Sequence, residues 1–329
     1  MYKNIKKSQH PMNAHLFKLF TKCIVLITII FSINIQLSHA DKSEHDKQYI
    51  VGFAQDTLAN DWRRAQVNEL ITEFKKHPEI KLIVTDAGGD SAKQIQDIEN
   101  LAYQKVDVLI TSPRNGVTST PAISRVYKQG IPVVLITRTI TSDDYTTLIA
   151  PDDYQIATKA GEYISKKLSG KGNVLVLRGV PTATTAIART DGFMNSLKRY
   201  PGIKVSAIKD ANYLRGDAIT QTEAAIMENI AFDAIYSQSD SMAVGARLAL
   251  KKAGISPKEK LIVGIDYINE AREAIRTGNQ SASFVYPTCA KETAEIVLRI
   301  LHGKSVPKIV RVESKIITKE NVEKISPIF

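Results

Sequence analysis

From residue 49 onward, short apolar runs alternate with longer stretches of mixed polarity. Apolar, β-rich runs at 49–54, 81–85, 106–111 and 131–136 predict strands, and the stretches 61–76, 91–104 and 118–129 between them predict helices. Strands that are apolar on both faces and joined by helices imply a parallel sheet covered on both sides. Pro78, Gly88-Gly89, Pro113 and Gly130-Ile131-Pro132 punctuate the connections. After a short apolar segment at 146–150 and Pro151-Asp152-Asp153 the pattern restarts. It predicts helix 153–168, strand 173–178, a helix near 184–199, strand 203–208 and a helix near 216–230. Strand 233–237, helix 241–253, strand 260–265 and a helix near 269–277 follow. Strand 281–286, helix 288–302 and an extended stretch at 307–317 close the chain. The second half repeats the architecture of the first, so two α/β units of about 100–130 residues each are expected.

Composition changes this picture little. Among 329 residues, 43% apolar and 24% charged content describe a soluble globular chain. The net charge of +10 suggests nucleic acid until it is located: Lys3, Lys6, Lys7, Lys18 and Lys22 lie in residues 1–40, which contain no acid. The remaining charges are interspersed along helical faces, and no nucleic-acid partner is expected. Residues 1–40 read as a cleaved secretory signal. Basic residues precede an uncharged run from 23 to 37, and Ser38-His39-Ala40 offers small residues at −3 and −1 of a cut after Ala40. Met12 would also serve as a start, with more ordinary proportions. A periplasmic location is the expectation. Beyond residue 40 only Cys289 and the histidines His45, His77 and His302 remain, so no disulfide, metal site or cofactor is expected. Cys289 reads as a buried thiol.

Polar residues recur where the predicted strands end: Gln55-Asp56, Asp86, Ser112-Pro113, Thr137-Arg138, Gly179, Asp210, Ser239-Asp240 and Asp266. Two sheets can present such edges to a shared cleft. The segment 49–64 carries the single tryptophan, Trp62, where a strand hands over to a helix. The hydroxyl-rich loop 179–185 precedes a helix containing Arg189, and Thr184 or Thr185 could cap that helix. There is no nucleophile with a histidine base, no GxSxG, no dinucleotide glycine fingerprint and no Walker sequence. A non-enzymatic binding protein is the default.

The stretches VGFAQ…DWRRAQVNEL, DVLITSP, GIPVVLITR, GVPTATTAIARTDGF, AIYSQSDSMAVGARLALKKAG and LIVGID resemble type I periplasmic solute-binding proteins, nearest the ribose- and galactofuranose-binding group. The resemblance covers about 49–329. It implies an α/β fold of two Rossmann-like lobes with parallel sheets, joined by three hinge crossovers near 150–153, 285–287 and 312–314. The N-terminal lobe would hold 49–150 plus 287–312, and the C-terminal lobe 151–286 plus 313–329. Carried over residue by residue, the ligand contacts would be Asp61, Trp62, Arg63, Thr137, Arg138, Arg189, Ser239 and Asp266, and Thr184 of the hydroxyl-rich loop is expected beside them. Thr137 stands at the family's Asp, Ser239 at its Asn and Val285 at its Gln or Glu, so the site would suit fewer hydroxyls or a ligand with some negative character. The implied function is the substrate-binding component of an ABC importer for a sugar or sugar derivative, acting as a monomer with a membrane permease. The alternative is a ligand-sensing accessory protein for a membrane receptor or histidine kinase ectodomain.

Overall fold

The computed structural model describes residues 48–329, so the expected signal segment and its cleavage point lie outside the described residues. Two six-stranded sheets make up the frame. The first contains β1 (Tyr49–Gln55), β2 (Ile80–Asp86), β3 (Val108–Thr111), β4 (Val133–Ile136), β5 (Thr147–Ala150) and β11 (Ile309–Arg311). Its order is β11-β5-β4-β3-β1-β2, all pairs parallel. The second contains β6 (Lys171–Arg178), β7 (Gly202–Asp210), β8 (Ala234–Ser237), β9 (Leu261–Asp266), β10 (Ala282–Val285) and β12 (Ile316–Ile317). Its order is β12-β10-β9-β8-β6-β7, and only β12 runs antiparallel to its neighbour.

Helices α1 (Asp61–Phe74), α2 (Ser91–Tyr103) and α3 (Gly116–Lys128) connect the first sheet. Helices α4 (Asp153–Lys167), α5 (Thr184–Leu197), α6 (Arg215–Met227), α7 (Asp240–Lys252) and α8 (Asn269–Arg276) serve the second. The period-2 alternation of β1 shows why both sheet faces are covered. Val51 and Phe53 join one apolar cluster with Val67 and Leu70 of α1. Ala54 joins another with Ile98 and Leu101 of α2, and Gly52 leaves room for Leu101, whose methyl carbons would lie 3.1 Å from a Cβ there. In the second half, Val174 and Val176 face α4 and α5, while Leu175 and Leu177 face α6 and α7.

The chain passes between the sheets three times: after β5, after β10 and between β11 and β12. The last helix, α9 (Ala290–Leu301), follows β10 of the second sheet yet packs Ala290, Ala294 and Val297 into the core beside α1. Among the described residues no helix is long and apolar enough to cross a membrane.

In each half the chain runs from the first strand to a neighbour on one side, then to one on the other: β1 to β2 then β3, and β6 to β7 then β8. These reversals open a crevice at the carboxyl ends of the strands. Gln55, Thr111 and Thr137 mark that edge of the first sheet, and Gly179, Gln238 and Asp266 mark it in the second.

Candidate functional site

The two edges face each other across a cleft lined by residues of both halves. From the first come Asp56, Thr57, Asn60, Trp62, Arg63, Thr137 and Arg138. The second gives Val180, Thr185, Arg189, Asn212, Tyr213, Ser239, Asp266 and Tyr286. The space between these walls, including the part continuous with solvent, is about 470 Å³. That is room for one small molecule.

Asp56, just past β1, organises the first wall. Arg138 Nη1 donates to its Oδ2 at 2.8 Å, and Arg63 Nε stands 3.3 Å from its Oδ1. Burial acts to raise the Asp56 carboxyl, but Arg138 and Arg63 outweigh it and hold the group below the usual range. The Arg63 guanidinium also lies 5.2 Å over the Trp62 ring and donates to Gln66 Oε1 at 3.1 Å. Burial and the Arg138 charge bring its pKa down to about 10. Among the described residues, buried Arg138 Nε has no hydrogen-bond partner, and buried Asp56 Oδ1 has only the Arg63 ion pair. Such atoms cost stability where nothing pairs with them and are natural contacts for a polar ligand.

The second wall is organised by Arg189. Its Nε donates to Asp153 Oδ1 at 2.7 Å, Nη1 donates to the Gln238 carbonyl, and the guanidinium lies 4.4 Å from the Tyr286 ring centroid. Burial opposes the charge, but Asp153 beside it raises the Arg189 pKa well above its usual value. Tyr286 donates its hydroxyl to Asp153 Oδ2 at 3.1 Å, while its carbonyl accepts the Trp62 indole N–H at 3.0 Å. Trp62, on α1, thereby reaches the passage that follows β10 and packs within the apolar core of the second half.

Thr137 (φ 62°), Asn212 (52°), Tyr213 (63°) and Asp266 (122°) all line the cleft with positive φ. Non-glycine residues rarely adopt this conformation, and for a β-branched threonine it is costly, so the surrounding structure must hold it. Tyr213 is seated by Gly179, Asn60 and Thr185. A Cβ on Gly179 would lie 2.0 Å from the Tyr213 Cζ; Asn60 Nδ2 donates to the Tyr213 carbonyl; and the Tyr213 and Thr185 hydroxyls are 3.0 Å apart.

Of the nine expected contacts, the cleft brings together Trp62, Arg63, Thr137, Arg138, Arg189, Ser239 and Asp266. Asp61 lies outside this lining. As the first residue of α1 it stands at the cleft mouth, partly exposed, paired with Arg64 and, at 3.2 Å, with Arg215 of the second half. Asn60, which caps α1 by accepting from the Arg63 N–H at 3.1 Å, lies on the wall. Thr184 lies outside the lining as well. Its hydroxyl accepts the Thr139 N–H at 3.1 Å, and Thr185 reaches the cleft instead. Neither caps α5, whose N-cap is Ala183 without a side-chain bond. Ser239 does cap α7, accepting from the Met242 N–H at 3.3 Å. Asn60, Asn212, Tyr213 and Tyr286 were not anticipated. Asp56 had a signal, since it ends β1, and Tyr286 lies beside Val285 in the anticipated second crossover.

A sequence profile described as "Periplasmic binding protein domain" matches residues 51–305. The ribose import binding protein RbsB of Bacillus subtilis (strain 168) is 29% identical over 287 residues, covering 87% of this chain and 92% of that protein. The galactofuranose-binding protein YtfQ of Escherichia coli (strain K12) is 29% identical over 243 residues, covering 71% and 76%. Among solved structures, the fructose binding periplasmic domain of the hybrid two component system BT1754 superposes with a TM-score of 0.80 at 32% identity. It covers 84% of this chain and 92% of its own.

Proposed function

Because the chain belongs to the periplasmic binding protein family, we propose that it is the periplasmic substrate-binding component of an ABC importer and captures a sugar or sugar derivative. The observation that carries this reading is the cleft, where aromatic faces and buried arginine–aspartate pairs from both sheet edges converge. Sugars offer apolar C–H faces and a rim of hydroxyls. Trp62 and Tyr213 suit the faces, and the arginines and aspartates suit the rim through charge-assisted hydrogen bonds. The related proteins are named for ribose, galactofuranose and fructose, and the cleft has the size and polarity for such compounds.

On this reading 49–150 plus 287–312 and 151–286 plus 313–329 are the moving lobes, and the three passages between the sheets are the hinge. The protein acts as a monomer without catalysis, after export and cleavage behind Ala40, and delivers its ligand to a membrane permease. Thermal-shift screening of sugars and sugar derivatives tests the function. A true ligand raises the melting temperature with a concentration dependence that follows its affinity, and silence across the panel would refute the reading.

A second reading has one observation in its favour: the BT1754 domain belongs to a two-component sensor. In that case the loaded protein would stimulate a receptor or kinase ectodomain. Ligand-dependent stimulation of a permease–ATPase pair, against that of a kinase, separates the two.

A further inference from the structure

Behind the second wall, α7 begins with Asp240, a fully buried carboxylate that does not itself line the cleft. Its Oδ2 accepts the Tyr267 N–H at 2.7 Å and the Ser283 hydroxyl at 2.5 Å, and its Oδ1 accepts Gln280 Nε2 at 2.7 Å. Arg247, also on α7, donates to Gln280 Oε1. Room for the carboxylate comes from β9, where a Cβ on Gly264 would overlap Asp240 Oδ1. All these partners belong to the second sheet and its connections, so the arrangement does not depend on the cleft being closed.

The bonds converge on a strained turn. Asp266 (φ 122°) and Tyr267 (φ 63°) are consecutive non-glycine residues with positive φ, a conformation that persists only where its surroundings hold it. Asp240 and Ser283 Oγ share the Tyr267 N–H, the latter at 3.1 Å. At its other end, Tyr267 donates its hydroxyl to the Val322 and Ile325 carbonyls at 3.1 and 2.8 Å. With Tyr267 fixed at both ends, the backbone of Asp266 turns its carboxyl onto the cleft. The Asp240 N–H adds a long bond of 3.4 Å to Asp266 Oδ2.

A neutral amide at 240 could not do the same. Two carboxylate oxygens here receive three donors, and an amide offers one acceptor oxygen. Its N–H₂ would face either Tyr267 and Ser283 or Gln280, and Gln280 cannot turn over to accept it without setting its own N–H₂ against Arg247. Resting on the reading of the cleft as a sugar site, we propose that Asp240 is a positioning residue, which holds the Asp266–Tyr267 turn from behind and so aims Asp266 at the hydroxyls of the ligand.

The first test uses the ligand-free protein. In hydrogen-exchange NMR the Tyr267 amide should be as protected as the amides within β9, since its acceptors lie behind the wall. Exchange as fast as that of exposed loop amides overturns the proposal whether or not a ligand is known. The second test is a double-mutant cycle, read by calorimetry with a neutral sugar from the panel and by melting temperature. Asp240→Asn should weaken binding by about tenfold or more in the otherwise native protein, but by no more than about twofold once Asp266 is replaced by alanine. Its cost in melting temperature should persist in both backgrounds. This split is what separates positioning from a merely structural role, and affinity losses that add in Asp240→Asn/Asp266→Ala overturn the proposal. If Asp240→Asn does not fold, Ser283→Ala, which frees one anchor of the Asp240 carboxylate, should give the same split at smaller amplitude, and additive losses again overturn it. Failure of every sugar to bind would instead refute the sugar reading, with exchange at Tyr267 still deciding whether the turn is braced.

Discussion

The ring of Tyr213 lies directly against Gly179, so closely that a Cβ at 179 would stand 2.0 Å from Cζ and 2.3 Å from Cε1. Glycine here owes nothing to an unusual φ; what matters is the space for an aromatic wall. Gly179→Ala should therefore displace Tyr213 from between Arg138 and Arg189, whose guanidinium carbons lie 5.8 and 5.9 Å from its ring centroid. Ligand affinity should fall by about tenfold or more, with a much smaller change in melting temperature, because the ring can swing into the cleft. If the two residues act as one unit, Gly179→Ala should cost little more in a Tyr213→Ala background. Full additivity in calorimetric titrations would break the link.

Arg189 ties the second wall together through Asp153, Gln238 and Tyr286. Arg189→Ala leaves Asp153 buried without its cation, so two losses combine: the ligand contact and a stranded carboxylate. Binding should weaken by roughly 2 kcal/mol or more, and the melting temperature should drop as well. Arg189→Lys should recover little of the affinity, since an ammonium cannot both bridge Asp153 and lie flat on Tyr286. Unaltered affinity in either variant would remove Arg189 from the binding wall.

Much of this was legible from residue patterns, for physical reasons. The apolar runs are long and apolar on both faces because each sheet is covered twice, so Val51, Phe53 and Ala54 announced β1 as clearly as Val174 to Leu177 announced β6. Strand ends were legible too, which is why Thr137-Arg138, Ser239 and Asp266 could be placed. The two expected contacts outside the lining are of one kind. Asp61 and Thr184 each stand one position from a lining residue, Asn60 and Thr185, where a loop enters a helix and the direction of each side chain turns by a large angle. Tyr213 and Asn212 were invisible for another reason. They reach the cleft by left-handed backbone that no periodicity encodes, and the glycine that makes room for the Tyr213 ring lies 34 positions earlier.

Asp240 should make the ligand-free protein less stable as the solution becomes less acidic. Burial, only partly offset by the bonds from Ser283, Gln280 and the Tyr267 N–H, pushes its pKa up to about 6, against about 3.9 in an unfolded chain. The folded state holds this proton more tightly, so the extra stability is complete below the unfolded value and is lost as pH rises through about 6. Asp266 and Asp153, both raised by burial, share the sign of Asp240 and add to the decline, whereas Asp56 has the opposite sign and its contribution is lost only as pH falls below the unfolded value. Urea unfolding between about pH 4.5 and 7.5 should show a decline on the order of 1–3 kcal/mol. Asp240→Asn should reduce that slope whatever it does to absolute stability. An unchanged slope would assign the effect elsewhere.

The Asp61–Arg215 pair at the cleft mouth should set how firmly the halves stay together without touching the ligand. Arg215 Nη2 lies 3.2 Å from Asp61 Oδ2 of the first half and 3.0 Å from Glu270 Oε1 of its own. All three side chains are partly exposed, so the contribution is modest, about 0.2–1 kcal/mol. Arg215→Ala and Asp61→Ala should each weaken binding by a few fold, chiefly through faster release. The double variant should be no worse than the stronger single one, and the difference should shrink at high salt. A loss that persists in 1 M salt would mean that one of these residues meets the ligand after all.

Trp62 supplies both a wall and a means of watching the cleft close. It is the single tryptophan of the chain, only 5% exposed, and its indole N–H reaches the Tyr286 carbonyl at 3.0 Å. Tyr286 in turn holds Asp153, the partner of Arg189. Opening the cleft must break the Trp62 bond or drag Tyr286 along, so the indole passes between water and an apolar core. Adding ligand should shift tryptophan emission to the blue, with a rate that saturates where closure, not encounter, becomes limiting. Trp62→Ala should abolish high-affinity binding. Removing only the indole donor is the sharper test, because Trp62→Phe keeps an aromatic face and costs one hydrogen bond, about 1 kcal/mol or roughly fivefold in affinity. With the fluorophore gone, that variant is read by calorimetry. Tyr286→Phe, which keeps the carbonyl, should leave the emission shift intact and weaken binding through Arg189. If Tyr286→Phe abolished the emission shift while leaving affinity unchanged, the order of contacts from Trp62 to Arg189 would be wrong.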